Sequence, residues 1–306
     1  MGKIRVAISP SSFAENNDKP IQILRDADIE IVENLYKRRL TEEEAIIHLK
    51  DVDGLIAGLE PLNKKVLSSA DRLKAIARVG IGIANVDLEY AKEKGIKVSN
   101  TPKGPTQAVA EMTLAALLTL NRQIIPFNAN MHQGIWKKSI GTSISGQKIL
   151  LIGYGRIGSK VSEIFTKIGA EIYVCDPYIE ESQLLYGEKK ITLNEGLELA
   201  DVVSLHVSGV EEILGKKEFD IMQNGVVLLN SARGELVNED ALIDSLKNGK
   251  VQSAWFDVFW KEPYSGDLIK FDNVLLTPHV GTYTGQCRLS MEMAAVNNLL
   301  VDLGLR

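Results

Sequence analysis

Short apolar runs alternate along the chain with stretches in which apolar residues recur every three or four positions, the two signatures of buried strands and amphipathic helices. The pattern predicts strands at 4–8 and 29–32 and helices at 19–27 and 41–49, the latter opened by Thr41-Glu42-Glu43-Glu44, a capping-box pattern. The segments 53–58 and 73–78 continue the alternation. After Val98-Ser99-Asn100, Pro102 and Pro105 mark a crossover, and 107–120 is a strongly apolar stretch of good helix formers, too short to span a bilayer. A second series follows: strands at 148–152, 171–176, 202–207, 226–230, 254–258 and 274–276, and a last helix at 284–303 that can return to the first series. Residues 180–200 show no clear pattern. Strands alternating with helices in two series predict an α/β protein with two parallel-sheet domains.

The second series opens on Gly153-Tyr154-Gly155-Arg156-Ile157-Gly158. A lone GxGxxG carries little weight, but this one follows an apolar strand and leads into a helix whose Ile157, Val161, Ile164, Phe165 and Ile168 share a face. Gly153 suits the tight turn, Gly155 the close approach of a pyrophosphate, and Gly158 the packing of helix on sheet, while the helix N-terminus offers unpaired N–H groups to the anion. Asp176 closes the next strand, 18 residues after Gly158, where a carboxylate accepts hydrogen bonds from adenosine ribose hydroxyls. A 2′-phosphate about 4 Å from it would be repelled by roughly 4 kcal/mol at an effective dielectric of about 20. The expected cofactor is therefore NAD rather than NADP. Because the fingerprint begins only at residue 153, another domain must precede it. The predicted fold is two Rossmann-like parallel-sheet domains, an NAD-binding domain at 100–283 inserted in a discontinuous substrate-binding domain formed by 1–99 and 284–306.

Composition narrows the function classes. The 306 residues are 45% hydrophobic and 25% charged with a net charge of −5, so substantial cores are possible and there is no basic excess for a nucleic-acid backbone. Small-molecule chemistry is expected, with no nucleic-acid partner, no membrane partner and no metal. With Cys175 and Cys287 as the two cysteines and no signal-peptide pattern at the start, a soluble protein in a reducing cytoplasm is expected.

Three polar residues of the second series have the chemistry of a site. Arg233 lies just beyond the strand at 226–230, Glu262 precedes Pro263, and His279 follows Pro278 just beyond the strand at 274–276. Ligands of parallel sheets gather outside the carboxyl ends of the strands. There an arginine can grip a carboxylate with two hydrogen bonds, and a histidine with a carboxylate partner can exchange a proton near neutral pH.

Over nearly its whole length the chain resembles the D-2-hydroxyacid dehydrogenases, and among them the D-3-phosphoglycerate dehydrogenase-like group. The resemblance is carried by Arg78-Val79-Gly80-Ile81-Gly82, Asn100-Thr101-Pro102, Gly134-Ile135-Trp136, Asn230-Ser231-Ala232-Arg233-Gly234, Asp257-Val258-Phe259 with Glu262-Pro263, and Pro278-His279-Val280-Gly281. It implies hydride transfer between NAD and a D-2-hydroxyacid or its 2-oxoacid. His279 is then the acid and base, Glu262 its orienting partner, and Arg233 the carboxylate grip, with Arg78 and the backbone at Ile81 and Gly82 as further substrate contacts. It also implies cofactor contacts from the fingerprint, Asp176, Val207, Ser231, Ala232, Asp257 and Gly281, and a homodimer with the 107–120 helix and the Trp136 region at the contact.

The chain departs from the family pattern at His206-Val207-Ser208-Gly209-Val210, where a proline and a longer loop are usual, and at Ala57 and Gly58, where some phosphoglycerate dehydrogenases carry a phosphate-binding arginine. The alternative substrates are glyoxylate, hydroxypyruvate or another 2-oxoacid, and the alternative role is a non-catalytic NAD(H)-sensing interaction protein. The chain ends soon after its last predicted helix, so the C-terminal regulatory domain of some relatives, and serine feedback through it, are not expected.

Overall fold

The structure, a computed structural model, describes residues 2–306. They divide into two compact units, residues up to Pro105 with Thr282–Arg306, and Thr106–Gly281.

The first unit begins with β1 (Arg5–Ile8), α1 (Lys19–Asp26), β2 (Glu30–Glu33), α2 (Glu42–His48), β3 (Gly54–Ala57), α3 (Lys64–Ser68), β4 (Ala75–Arg78), α4 (Leu88–Glu93) and β5 (Lys97–Asn100). The strands form one parallel sheet in the order β2-β1-β3-β4-β5. Each of the last three helices is capped by a side chain that accepts a backbone N–H: Thr41 from Glu44, Asn63 from Val66, Asp87 from Tyr90. At Thr41 the reciprocal capping box forms as the sequence predicts. Strand β3 is buried along its whole length, as a central parallel strand covered on both faces must be.

The second unit contains α5 (Pro105–Asn121, starting at the junction), α6 (Ile124–His132), β6 (Lys148–Ile152), α7 (Arg156–Lys167), β7 (Glu171–Cys175), β8 (Lys189–Lys190), α8 (Leu193–Leu199), β9 (Val202–Leu205), α9 (Lys216–Ile221), β10 (Val226–Asn230), α10 (Glu239–Lys247), β11 (Val251–Phe256) and β12 (Val274–Leu276). Its seven parallel strands run β12-β11-β10-β9-β6-β7-β8. Strand order reverses between β6 and β9, so this is the switch point at which a doubly wound sheet opens a crevice at its carboxyl edge. The core lies on both faces of the sheet, with Leu150, Val203, Leu228 and Phe256 on one side and Leu151, Val202, Leu229 and Trp255 on the other. The chain then returns to the first unit as α11 (Gly285–Asp302), capped by Thr284.

The predicted fold class, two Rossmann-like parallel-sheet units with one inserted in the other, is the observed one. Three local expectations change. The strand expected at 254–258 runs instead from Val251 to Phe256, because exposed Gln252 interrupts the apolar signal at its start. The strand expected at 202–207 stops at Leu205, leaving His206 and Val207 in the turn. The patternless stretch 180–200 holds β8 and α8. Among the described residues no helix is long and apolar enough to cross a membrane.

Candidate active site

The fingerprint loop sits at the switch point. Gly153 has φ +95°, and a side chain there would press on the carbonyl of His206, just beyond the neighbouring strand β9. A side chain at Gly158 would collide with the Gly153 carbonyl, so helix α7 packs against its own entry turn. Gly155 is the N-cap of α7 without a side-chain cap, and the space where its Cβ would stand is open. The first N–H groups of a 12-residue helix therefore face a clearing, which fits a pyrophosphate. Arg156 is exposed, Ile157 half-buried, and Val207 lies against Gly153. Asp176 is held at both oxygens by backbone: Tyr154 N–H donates to Oδ2 at 2.8 Å and Tyr178 N–H to Oδ1 at 2.9 Å. That fixes the carboxylate beside the loop while leaving lone pairs for ribose hydroxyls.

Three adjacent strands, β10, β11 and β12, deliver the polar candidates at their carboxyl ends. Beyond β10, fully buried Asn230 clamps the turn: its Oδ1 accepts Ala232 N–H at 3.0 Å and its Nδ2 donates to the Arg233 carbonyl at 2.7 Å. Arg233, half-buried, donates from Nη1 to the Ala232 carbonyl at 2.6 Å. Ser231 is half-buried between them. Beyond β12, His279 takes a left-handed backbone with φ +55°. Its Nδ1 lies 3.0 Å from both oxygens of Glu262, which places the proton on Nδ1 and leaves Nε2 to accept or donate.

Asp257 braces this turn from beneath. It is 2% exposed, and its carboxylate accepts from Thr277 Oγ1 at 2.6 Å, Val280 N–H at 2.8 Å and Gly281 N–H at 2.8 Å. Burial pushes its carboxyl above the ordinary range, although the three hydrogen bonds and the His279 charge pull the other way. The structure thus brings Arg233, Asp257, Glu262, His279 and Gly281 to one edge of the sheet. Ile81 and Gly82 follow β4 in the other unit, where the Asn100 side chain donates to the Ile81 carbonyl at 2.7 Å, and Arg78 ends that strand. His206 is tied through Nε2 to Ser204 Oγ at 2.8 Å while its Nδ1 is shut off from solvent without a partner; burial pushes its pKa down to about 4.

Residues 114–281 match the NAD binding domain of the D-isomer specific 2-hydroxyacid dehydrogenases. The chain belongs to that family. It is 38% identical over 266 residues to D-3-phosphoglycerate dehydrogenase of Haemophilus influenzae, a match over 83% of this chain and 64% of that protein. The chain spans about half the length of most of the curated relatives it matches. Among solved structures it is similar to the TT0316 protein of Thermus thermophilus, with a TM-score of 0.90, 31% identity and coverage of 99% of this chain and 98% of that one. It is also similar to D-lactate dehydrogenase of Aquifex aeolicus, solved with NAD and lactic acid, with a TM-score of 0.83, 26% identity and coverage of 98% and 96%.

One brace of the fingerprint loop has no signal in the sequence. Glu188, buried in the patternless stretch, accepts from Tyr154 Oη at 2.5 Å, from Tyr186 N–H at 2.7 Å and from Ser162 Oγ. It ties the fingerprint loop and α7 to the segment before β8. The three donors hold the Glu188 carboxyl below its ordinary range against burial, and burial and Glu188 together push the Tyr154 phenol upward.

Proposed function

We propose that the chain is an NAD-dependent oxidoreductase interconverting a D-2-hydroxyacid and its 2-oxoacid, with 3-phosphoglycerate and 3-phosphohydroxypyruvate as the leading pair. The observation that carries the reaction class is the His279–Glu262 contact at 3.0 Å, on the sheet edge that also presents Arg233. NAD, when bound, supplies the hydride acceptor. Arg233 binds the substrate carboxylate through its planar fork and draws electron density from the C2 oxygen. His279 Nε2 takes the C2 hydroxyl proton in oxidation and returns it to the carbonyl oxygen in reduction, while Glu262 holds the ring by Nδ1. The first unit has the substrate-binding role, through Arg78, Ile81 and Gly82. The second unit is the cofactor unit, with Gly153–Gly158, Asp176, Val207, Ser231, Ala232, Asp257 and Gly281 as its contacts. The curated relatives' names support the phosphoglycerate pair.

A specific observation favours an unphosphorylated 2-oxoacid such as glyoxylate or hydroxypyruvate as the second reading. Glu60, 2% exposed just beyond β3, accepts the Gly58 N–H at 2.9 Å and faces the charge of Arg78. Burial pushes the Glu60 carboxyl above its ordinary range against the pull of Arg78, and an acidic group in that place supplies none of the positive charge a phosphate would need. The test is NADH oxidation by the purified chain over a panel of 2-oxoacids that includes 3-phosphohydroxypyruvate, glyoxylate, hydroxypyruvate and pyruvate. The panel ranks the two readings, and tight NADH binding without turnover of any oxoacid moves the assignment to dinucleotide sensing.

Two further outcomes are expected. Reduction consumes the proton that His279 must carry, whereas oxidation needs its Nε2 free, so the reductive rate should be favoured at lower pH than the oxidative rate. Superimposable pH profiles in the two directions would contradict the assignment of His279. Asp176→Ala should raise affinity for NADPH relative to NADH by at least about tenfold, since roughly 4 kcal/mol of repulsion is removed before screening; direct fluorescence titration of both cofactors measures it.

A homodimer belongs to the same proposal. Helix α6 and the segment after it expose Ile124, Ile125, Met131, Ile135, Trp136 at 75% and Ile140 at 98%, an apolar strip suited to a second copy of this surface. Light scattering should return twice the 33.7 kDa chain mass, and a Trp136→Asp, Ile140→Asp double variant should return the single mass.

A further inference from the structure

The loop between β11 and β12 carries Glu262 with exposed neighbours on both sides, Lys261 and Pro263. Ordering each residue of such a segment costs about 1–2 kcal/mol of backbone entropy. Several of its anchors lie in another segment. The Trp260 indole N–H donates to the Val237 carbonyl at 2.7 Å, and the Tyr264 hydroxyl donates to Glu239 Oε1 at 2.5 Å, in the first turn of α10. The same hydroxyl accepts Leu268 N–H at 3.1 Å. The Tyr264 ring stacks on Phe259 at 4.5 Å between centroids, and Trp260 stacks on Phe256 at 5.6 Å. A side chain at Gly234 would collide with the backbone of Phe259 and Trp260. All these partners, Gly234, Val237 and Glu239, belong to the segment that leads out of Arg233. Two aromatic residues on either side of Glu262 thus dock its loop onto the arginine segment, and within the loop Phe259 N–H reaches Glu262 Oε1 at 3.3 Å.

We infer that Trp260 and Tyr264 are positioning residues that hold the Glu262 carboxylate against His279 Nδ1, in register with Arg233. The inference rests on the reading of His279 as the proton carrier. Each residue acts through a group that is easily removed. Tyr264→Phe and Trp260→Phe keep the stacked rings but lose the donor, and Glu239→Ala removes the acceptor from the far side, on a half-exposed helix position. Glu239→Gln keeps an oxygen acceptor for Tyr264 and is the conservative control.

The test reads the His279 ring directly, by following exchange of its Nδ1 proton with water in the cofactor-free chain. That proton faces the two Glu262 oxygens at 3.0 Å, and the variants leave the Asp257 contacts to Thr277, Val280 and Gly281 untouched, so a change in its exchange reports on Glu262. Loosening Glu262 weakens that hydrogen bond, and exchange should quicken by about tenfold in Tyr264→Phe, Trp260→Phe and Glu239→Ala, and stay at the wild-type rate in Glu239→Gln. In turnover the same three variants should lose about tenfold in kcat with NADH affinity unchanged, as expected for misplaced catalytic groups. Exchange rates indistinguishable from wild type in variants that remain folded would overturn the inference, whatever their thermal stability. If the wild-type chain turns over no oxoacid, the functional reading fails, while the proton exchange still decides whether the two aromatic residues place Glu262.

Discussion

Replacing His279 by alanine is expected to lower turnover in both directions by roughly 10²–10⁴-fold, the usual contribution of a positioned acid or base, while NADH binds as it does to the parent chain. The separation follows from the sheet. His279 sits beyond β12, at one edge, whereas the fingerprint loop sits beyond β6, with three strands between them in the order β11-β10-β9. His279 reaches Glu262 and its turn is pinned by Asp257, whereas the Gly153 loop is pinned by Asp176, so the two turns are held by separate carboxylates. The loss therefore falls on kcat, because the proton must come from water instead of a fixed imidazole. Glu262→Gln should lose less than His279→Ala, since an amide oxygen can still accept the Nδ1–H hydrogen bond yet cannot stabilise the imidazolium by charge. Steady-state kinetics with stopped-flow NADH binding measures both quantities. A His279→Ala variant with near-normal kcat would move the proton to another group and remove the mechanism proposed above.

Much of the arrangement behind this expectation is legible in the residue pattern, and the reason is local. Strand β10 is a run of five buried residues, four of them apolar, so Val226–Asn230 is found to the residue, and Thr41 and Glu44 specify a cap between residues three positions apart. The fingerprint is likewise local: a turn, a helix start and the strands on either side of it. The candidate residues could be found because each lies just beyond a legible strand, where sheet geometry forces loop residues to one edge. What the pattern does not contain is the contact. Nothing in the spacing of Glu262 and His279 states that Nδ1 faces both carboxylate oxygens, or that Asp257 spends its own on the Thr277, Val280 and Gly281 turn.

The parts that escaped share a physical cause. Strand β8 is two lysines at the outer edge of the sheet, too short and too polar to leave a period, although Thr192 and Glu195 do write a capping box for α8 just after it. Glu188 reads as an ordinary charged loop residue, yet it is buried because Tyr154, 34 positions earlier, and Ser162 turn their hydroxyls toward it. Such pairs are set by how β6, α7 and β7 stack, which is tertiary information. The same holds for Trp260 and Tyr264: an aromatic-rich loop suggests packing, but their partners Val237 and Glu239 are identified by the fold alone.

The second large effect is expected at Arg233. Its alanine variant should lose roughly 10²–10³-fold in kcat/KM for any 2-oxoacid the chain reduces, again with NADH affinity unchanged. A bidentate grip on a carboxylate comprises two charge-assisted hydrogen bonds, together about 3–4 kcal/mol, and each 1.4 kcal/mol is a factor of about ten. Little is lost in ordering the arginine when substrate arrives. The turn is clamped on both sides by Asn230, which is fully buried, and the guanidinium is already tethered by Nη1 to the Ala232 carbonyl at 2.6 Å. Arg233→Lys separates charge from shape: it keeps the positive charge but not the planar fork, and should recover part of the loss while leaving KM raised. Because Arg233 also draws on the C2 oxygen as negative charge develops there, part of the deficit should appear in kcat at saturating substrate rather than in KM alone. A deficit in Arg233→Ala smaller than about tenfold, or one confined to KM and fully repaired by lysine, would mean that the carboxylate is gripped by another group and that Arg233 contributes charge at a distance.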